Sequence, residues 1–178
     1  MRALKFSLPL SALAVVVALV ATAGATRTAA VDDGDDNAPS LEGSWIGTAT
    51  SVNPPNLPQI KDLITFTHDG NVIESRPPFV PGTPLGAEIG ALLETAGHGD
   101  WVKTGSREYE VKFVFFIQRA PVSDGGFIGT ETIRMHLTYD SLGETLTGPL
   151  TSQIRNANGV IVFSPDGTYR ATRIRAQR

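Results

Sequence analysis

The stretch FIGTETIRMHLTY, residues 127–139, decides the fold class. Its odd-numbered positions include Phe127, Ile133, Met135 and Tyr139, whereas its even-numbered positions after Ile128 are three threonines, one arginine and one histidine. Successive side chains of a β-strand point to opposite faces of a sheet, so this alternation predicts a strand with one apolar interior face and one solvent face.

The preceding segment, residues 108–119, repeats the pattern. Its apolar odd-numbered set is Tyr109, Val111, Phe113, Phe115 and Ile117. Val114 and Phe116 make the far end of this strand apolar on both faces as well. An apolar outer face predicts either a covering element or an interface, and a homo-oligomer is one way to cover it.

Asp-Gly and Asn-Gly turns separate such segments along the chain, and these pairs supply the positive φ angles of tight hairpins. Strands are predicted near residues 43–52, 59–67, 71–76, 100–104, 107–119, 127–139, 144–155, 159–163 and 168–175. The predicted fold is therefore all-β, an antiparallel up-and-down barrel of eight or nine strands, since closure removes exposed edges.

One insertion interrupts this meander between residues 76 and 99. Thr83 and Pro84 resemble a helix cap and first turn, and Leu85, Ile89 and Leu92 recur at helical spacing. We expect one short helix over residues 84–96, placed as a lid across one end of the barrel.

The N-terminus is typical of an exported protein. Arg2 and Lys5 precede a short apolar run and small residues that fit a cleavage site, which predicts a signal peptide over residues 1–25 and a secreted or periplasmic location. The segment 26–40 contains an acidic run and little to bury, so it is interpreted as a disordered linker. Residues 41–178 form the single predicted barrel domain.

Composition excludes several classes of function. The chain has no cysteine, so disulfides, thiol catalysis and cysteine-ligated metals are excluded. Without Arg2, Lys5 and Arg27, 12 basic residues face 18 acidic ones, a net charge near −6 that disfavours nucleic acid and anionic membranes as partners after cleavage. Neither a nucleotide-binding loop nor a serine-nucleophile motif is present.

The first strand begins with Gly43-Ser44-Trp45, and a Gly-x-Trp at this position resembles the lipocalin and calycin barrels. That resemblance implies that the Trp45 ring closes one end of the barrel under an arginine of the last strand, Arg173 or Arg170. The Gly-x-Trp-x-Gly start, the GHGDW segment at 97–101 and the terminal TRI at 172–174 also resemble the allene-oxide-cyclase-like barrels.

Glu131 is the unusual residue of the interior set, because a buried carboxylate must be paired, hydrogen-bonded or protonated. One interpretation is an internal ion pair with Arg173 or Arg107. The other is a functional carboxylate, with Tyr109 and His98 as further acid–base candidates. The histidines 68, 98 and 136 lack metal-ligand spacing, so no metal site and no cofactor are predicted.

Three functions stay open at this point. The first is a secreted barrel that binds a small apolar or amphipathic ligand against Phe113, Phe115, Ile133, Met135 and Tyr139. The second, implied by the allene-oxide-cyclase-like resemblance, is a cofactor-independent isomerase or cyclase. The third is a structural exported barrel whose interior is filled.

Overall fold

Eight antiparallel β-strands close into a barrel in the computed structural model of this protein, which describes residues 40–77, 79–80, 92–119, 126–140 and 142–176. The strands are β1 Gly43–Asn53, β2 Ile60–Phe66, β3 Asn71–Ser75, β4 Phe79–Val80, β5 Leu92–Glu94, β6 Gly97–Lys103, β7 Glu108–Arg119, β8 Phe127–Tyr139, β9 Thr145–Asn156, β10 Ile161–Phe163 and β11 Asp166–Arg173.

The barrel runs in the order β1, β2, β3, β6, β7, β8, β9, β11, and β11 pairs back with β1. Trp45 shows the closure, because it lies opposite Ile64 of β2 on one side and Arg173 of β11 on the other. The short β5 continues β6 along the same edge of β7, while β4 and β10 are additions outside the ring. The predicted all-β antiparallel barrel is thereby confirmed, with eight strands.

The helix predicted over residues 84–96 is not found among the described residues. Most of that segment lies outside them, and its described part contains the strand Leu92–Glu94. Leu92 is buried and lies opposite Arg119 of β7, whose free edge offers backbone hydrogen bonds at this point. Strand pairing therefore takes precedence over the helical spacing of the leucines.

From Gly129 to Tyr139 of β8, and along β7, the alternation orients the side chains as predicted, with the apolar sets buried inside the barrel. The prediction is wrong for Phe127, which is 48% exposed, because the β7–β8 register shifts between Ile117 and Gln118. Val114 is half-buried on the outer face, and Phe116 is 56% exposed with its ring 5.9 Å from that of Phe127. The predicted homo-oligomer remains a prediction.

The predicted signal peptide, residues 1–25, and nearly all of the predicted linker, residues 26–40, lie outside the described residues. Within the described part of the chain, no helix is long and apolar enough to span a membrane.

Candidate functional site

Trp45 fills one end of the barrel interior, which we call the Trp45 end. Its side chain is fully buried, and the Arg173 guanidinium lies over the indole with its Cζ atom 4.3 Å from the ring centroid. Arg173 also donates hydrogen bonds to the backbone carbonyls of Ser40 and Glu42. The arginine over this ring is therefore Arg173, while Arg170 is exposed.

The two glycines that flank this tryptophan make room for two different interior contacts. Gly43 has a φ of +114°, and a Cβ atom there would lie 3.0 Å from Arg173 Nη1. At Gly47 a Cβ atom would lie 2.0 Å from both Asp62 Oδ1 and Tyr169 Oη. Glycine is required at position 47 by this crowding, because no alanine methyl fits there.

Both predicted site tyrosines, Tyr109 and Tyr139, lie at the Trp45 end. The ring of Tyr139 lies 5.5 Å from that of Trp45 and 5.7 Å from that of Tyr109. Burial raises the pKa of Tyr139 to about 12, and it also raises the pKa of Tyr109. Glu131 lies opposite Phe115 of β7. Phe115 and Tyr109 are six residues apart on that strand, a distance of about 20 Å along the strand axis. The structure therefore separates Tyr109 and Tyr139 from Glu131.

The opposite end of the interior contains an ion-pair cluster around Arg76. Its Nη2 atom donates to Glu131 Oε2 at 2.5 Å, and its Nε atom lies 2.6 Å from Glu94 Oε2. The Nε–H bond does not point at that Glu94 oxygen in hydrogen-bond geometry, so the second contact is an ion pair only. Ser152 Oγ donates to Glu131 Oε1 at 2.6 Å. Glu131 is thus paired, but with Arg76 and not with Arg173 or Arg107 as predicted.

A second group of acids lies beside this cluster. Asp62 and Glu74 are buried, with 8% and 1% of their surfaces exposed, and the charge of Asp62 acts on the Glu74 carboxyl. Tyr169 Oη donates to Asp62 Oδ1 at 2.9 Å. Glu74 Oε2 is buried without any hydrogen-bond partner. We call Asp62 and Glu74 the acid pair.

Burial controls the ionisation of these groups. It raises the pKa of Asp62 to about 6 and that of Glu74 to about 8, because water no longer stabilises the charged forms. It raises the pKa of Glu94 as well. Burial opposes the ionisation of Glu131 too, but the charge of Arg76 and the hydrogen bonds to Glu131 outweigh it and lower its pKa. The acid pair therefore holds a proton near neutral pH, while Glu131 is ionised.

A cavity of about 80 Å³ adjoins both groups of charges. Its polar lining contains the buried side chains Glu74, Arg76, Glu131 and Ser152, together with Thr50, Ser51 and Asp166. The apolar part consists of Ala49, Leu57, Pro58, Ile60, Phe113, Ile133, Leu150 and Pro165. An apolar pocket with a few convergent polar groups is the usual form of a small-molecule site.

Of the five predicted ligand-contacting residues, Phe113 and Ile133 line this cavity. Phe115 is fully buried next to it, and the Arg76 guanidinium lies 4.1 Å from the centroid of its ring. Met135 and Tyr139 are buried in the core and do not line the cavity.

His98 lies on β6 opposite Val114, on the outer face of the barrel, and is exposed. This strand begins at Gly97, earlier than the strand predicted near residues 100–104. His98 therefore does not meet Glu131 or Tyr109, and the three predicted acid–base residues are not brought together. Among the described residues, no group of three or more histidine, aspartate or glutamate side chains is arranged to hold a metal ion.

Sequence reasoning missed the acid pair, although a signal was present. In the β2 segment IKDLITF, Asp62 shares the parity of Ile64 and Phe66, and in the β3 segment NVIES, Glu74 shares that of Val72. An acid in phase with apolar residues of a half-buried strand indicates an interior carboxyl. Arg76 carried the same signal, since it ends the predicted strand 71–76 in phase with Val72 and Glu74, although β3 itself ends at Ser75.

Comparison of the sequence with protein-family models gives no match, and no curated protein is significantly similar to it. The geometry alone therefore defines what is known of the site: a closed eight-strand barrel with a small cavity beside a buried cluster of acids.

Proposed function

We propose that the protein is an exported barrel that binds a small amphipathic molecule in the cavity lined by Glu74 and Leu150. One observation carries the proposal. A cavity of about 80 Å³ is lined both by buried charged side chains and by apolar side chains. This combination matches a ligand that carries one polar group on an apolar body.

Size limits the portion of ligand that this cavity encloses. A dry protein cavity of roughly 150 Å³ holds one benzene molecule. At about half that volume, the cavity encloses a polar group and a few carbons, and the remainder of a longer ligand would extend past Leu57 and Pro58.

Native mass spectrometry of the protein purified from its own host tests the proposal. We expect a bound small molecule that is absent from the Ala49→Leu variant, because the larger side chain occupies the cavity. The matched control is Thr48→Leu on the adjacent outer position, which should retain the molecule. An unliganded wild-type protein that Ala49→Leu stabilises would contradict binding and favour the structural barrel with a filled interior.

An isomerase or cyclase is the second candidate, and the free Oε2 atom of Glu74 favours it. A buried carboxyl whose pKa is about 8 can give up or take a proton near neutral pH without a cofactor. Glu131 is less suited to this role, because Arg76 and Ser152 occupy its oxygens.

The hypothesis that the protein is an isomerase or cyclase is tested by the identity of the molecule that co-purifies with it. If the protein converts its ligand, wild type should co-purify with product and Glu74→Gln with unconverted substrate. Identical bound molecules in the two proteins would rule out catalysis by Glu74 and leave binding intact.

Export is proposed on the N-terminal pattern alone. Sequencing the N-terminus of the protein recovered from medium or periplasm should give a start between residues 23 and 30. A mature chain that begins at Met1 would contradict cleavage.

A further inference from the structure

We infer that the molecule taken up by this cavity carries a primary ammonium group, which binds to the Glu74 carboxylate. The inference rests on the proposed function and specifies the ligand class for the same cavity. It depends on three properties of the site: its charge balance, an unpartnered carboxylate oxygen, and its size.

The charge balance of the interior is acidic. Four carboxyl groups, Asp62, Glu74, Glu94 and Glu131, lie within electrostatic range of the single guanidinium of Arg76. Arg76 is occupied by Glu131 and Glu94 at 2.5 and 2.6 Å. Within the described residues, no cationic side chain forms a salt bridge with either member of the acid pair. The cation that would complete the pair is therefore left for a ligand to supply.

Glu74 is the second, independent observation. Its side chain lines the cavity, only 1% of the residue is exposed, and its Oε2 atom has no hydrogen-bond partner. Buried polar atoms in folded proteins nearly always have a partner, so an unpaired one beside a cavity indicates a missing donor. A ligand carboxylate would be repelled here, and a hydroxyl would bring a donor without the compensating charge.

The cavity also limits the ligand cation to a compact one. A primary ammonium fits about 80 Å³ together with a short aliphatic segment against Ile60, Ile133 and Leu150. It brings three donors, one of which can satisfy Glu74 Oε2.

Binding of a cation must compete with the proton of the acid pair. The titratable groups that face Glu74 are Asp62 of β2, Arg76, Glu131 of β8 and Tyr169 of β11, with Glu94 of β5 behind Arg76. Burial raises the pKa of Glu74 to about 8, so at neutral pH the ammonium has to displace a proton. Affinity for the ammonium should consequently rise as the pH increases toward 8 and above.

Three probes of equal length test the inference on the full barrel: propylammonium, 1-propanol and propionate. Binding is followed by NMR titration of the Gly47 and Ser152 backbone amides. At about pH 8.5 we expect propylammonium to bind about tenfold tighter than 1-propanol, with propionate weakest, and this preference should fall to about twofold near pH 6. Calorimetry in two buffers of different ionisation enthalpy should show proton release at neutral pH.

The variant Glu74→Gln keeps the shape and removes the charge. It should bind propylammonium and 1-propanol equally, while Glu110→Gln on the exposed face of β7 should behave as wild type. The pH dependence of the wild-type preference provides the same information if Glu74→Gln fails to fold.

Two results would overturn the inference in distinguishable ways. If 1-propanol or propionate binds as tightly as propylammonium, the ammonium class is wrong while the proposed binding function stands. If none of the three binds, the ammonium inference fails, and the native mass spectrum of the host protein decides the proposed function separately.

Discussion

Replacing Glu74 by glutamine should change how the stability of the barrel depends on pH. In the folded protein burial raises the pKa of Glu74 from 4.5 to about 8. Between these two values the folded state holds a proton that the unfolded state has released. The contribution of Glu74 to the free energy of unfolding is therefore fully present below about pH 4.5 and is lost as the pH rises toward about 8.

The magnitude follows from the width of that window. Each pH unit within it costs about 1.4 kcal/mol of unfolding free energy, so wild type should lose about 4 kcal/mol from this group between about pH 5 and pH 8. Glutamine has nearly the same shape and does not titrate. The Glu74→Gln variant should therefore lack this loss and be the more stable protein above about pH 7.

Urea denaturation followed by tryptophan fluorescence at about pH 5, 6.5, 8 and 9 measures the difference. Wild type and Glu74→Gln both contain Glu94 and Glu131, so the pH-dependent contributions of these two groups to stability cancel when the two proteins are compared. Glu108→Gln, an exposed position on β7, should follow the wild-type curve. Parallel stability curves for wild type and Glu74→Gln would refute the reasoning, since they would mean that Glu74 is already ionised in the folded state at neutral pH.

Three further substitutions test the interior contacts by urea denaturation. Gly47→Ala should cost about 2 kcal/mol or more, because its methyl would lie 2.0 Å from Tyr169 Oη, and an unaltered midpoint would show that this contact yields. Arg173→Met should cost about 2–3 kcal/mol through the lost cation–π contact with Trp45 and the lost hydrogen bonds to backbone carbonyls, whereas a change below about 0.5 kcal/mol would argue against closure by this pair. Arg76→Met should cost about 3–5 kcal/mol near neutral pH and less in acid, where its carboxylate partners are protonated, and a loss independent of pH would contradict the ion pairs.

Most of the barrel is predictable from local pattern. Alternation alone orients Phe113 and Met135 toward the interior, and the strand bounds follow from the turns between them. The segment around Leu92 is the exception. Its spacing fits a helix, but a free edge of β7 is available, and an edge of this kind has no local signature in the sequence.

The candidate site is less predictable, because its members come from separate strands. Alternation indicates that Glu131 is buried, yet the choice among Arg76, Arg107 and Arg173 as its partner depends on how the ring closes. Tyr109 has the correct parity for a place beside Glu131, but it lies about 20 Å further along the strand.

The sequence by itself determined the periodic features of this protein: an all-β chain, the interior faces of its strands, and a tryptophan that starts the first of them. Period-two alternation is a local property, so it can be recognised in the sequence without knowledge of the tertiary structure. Only the tertiary structure decided which interior charges meet. The shear of a closed barrel sets which residues of distant strands share a level, and this places Glu74 beside Asp62 at the cavity and Arg173 over Trp45.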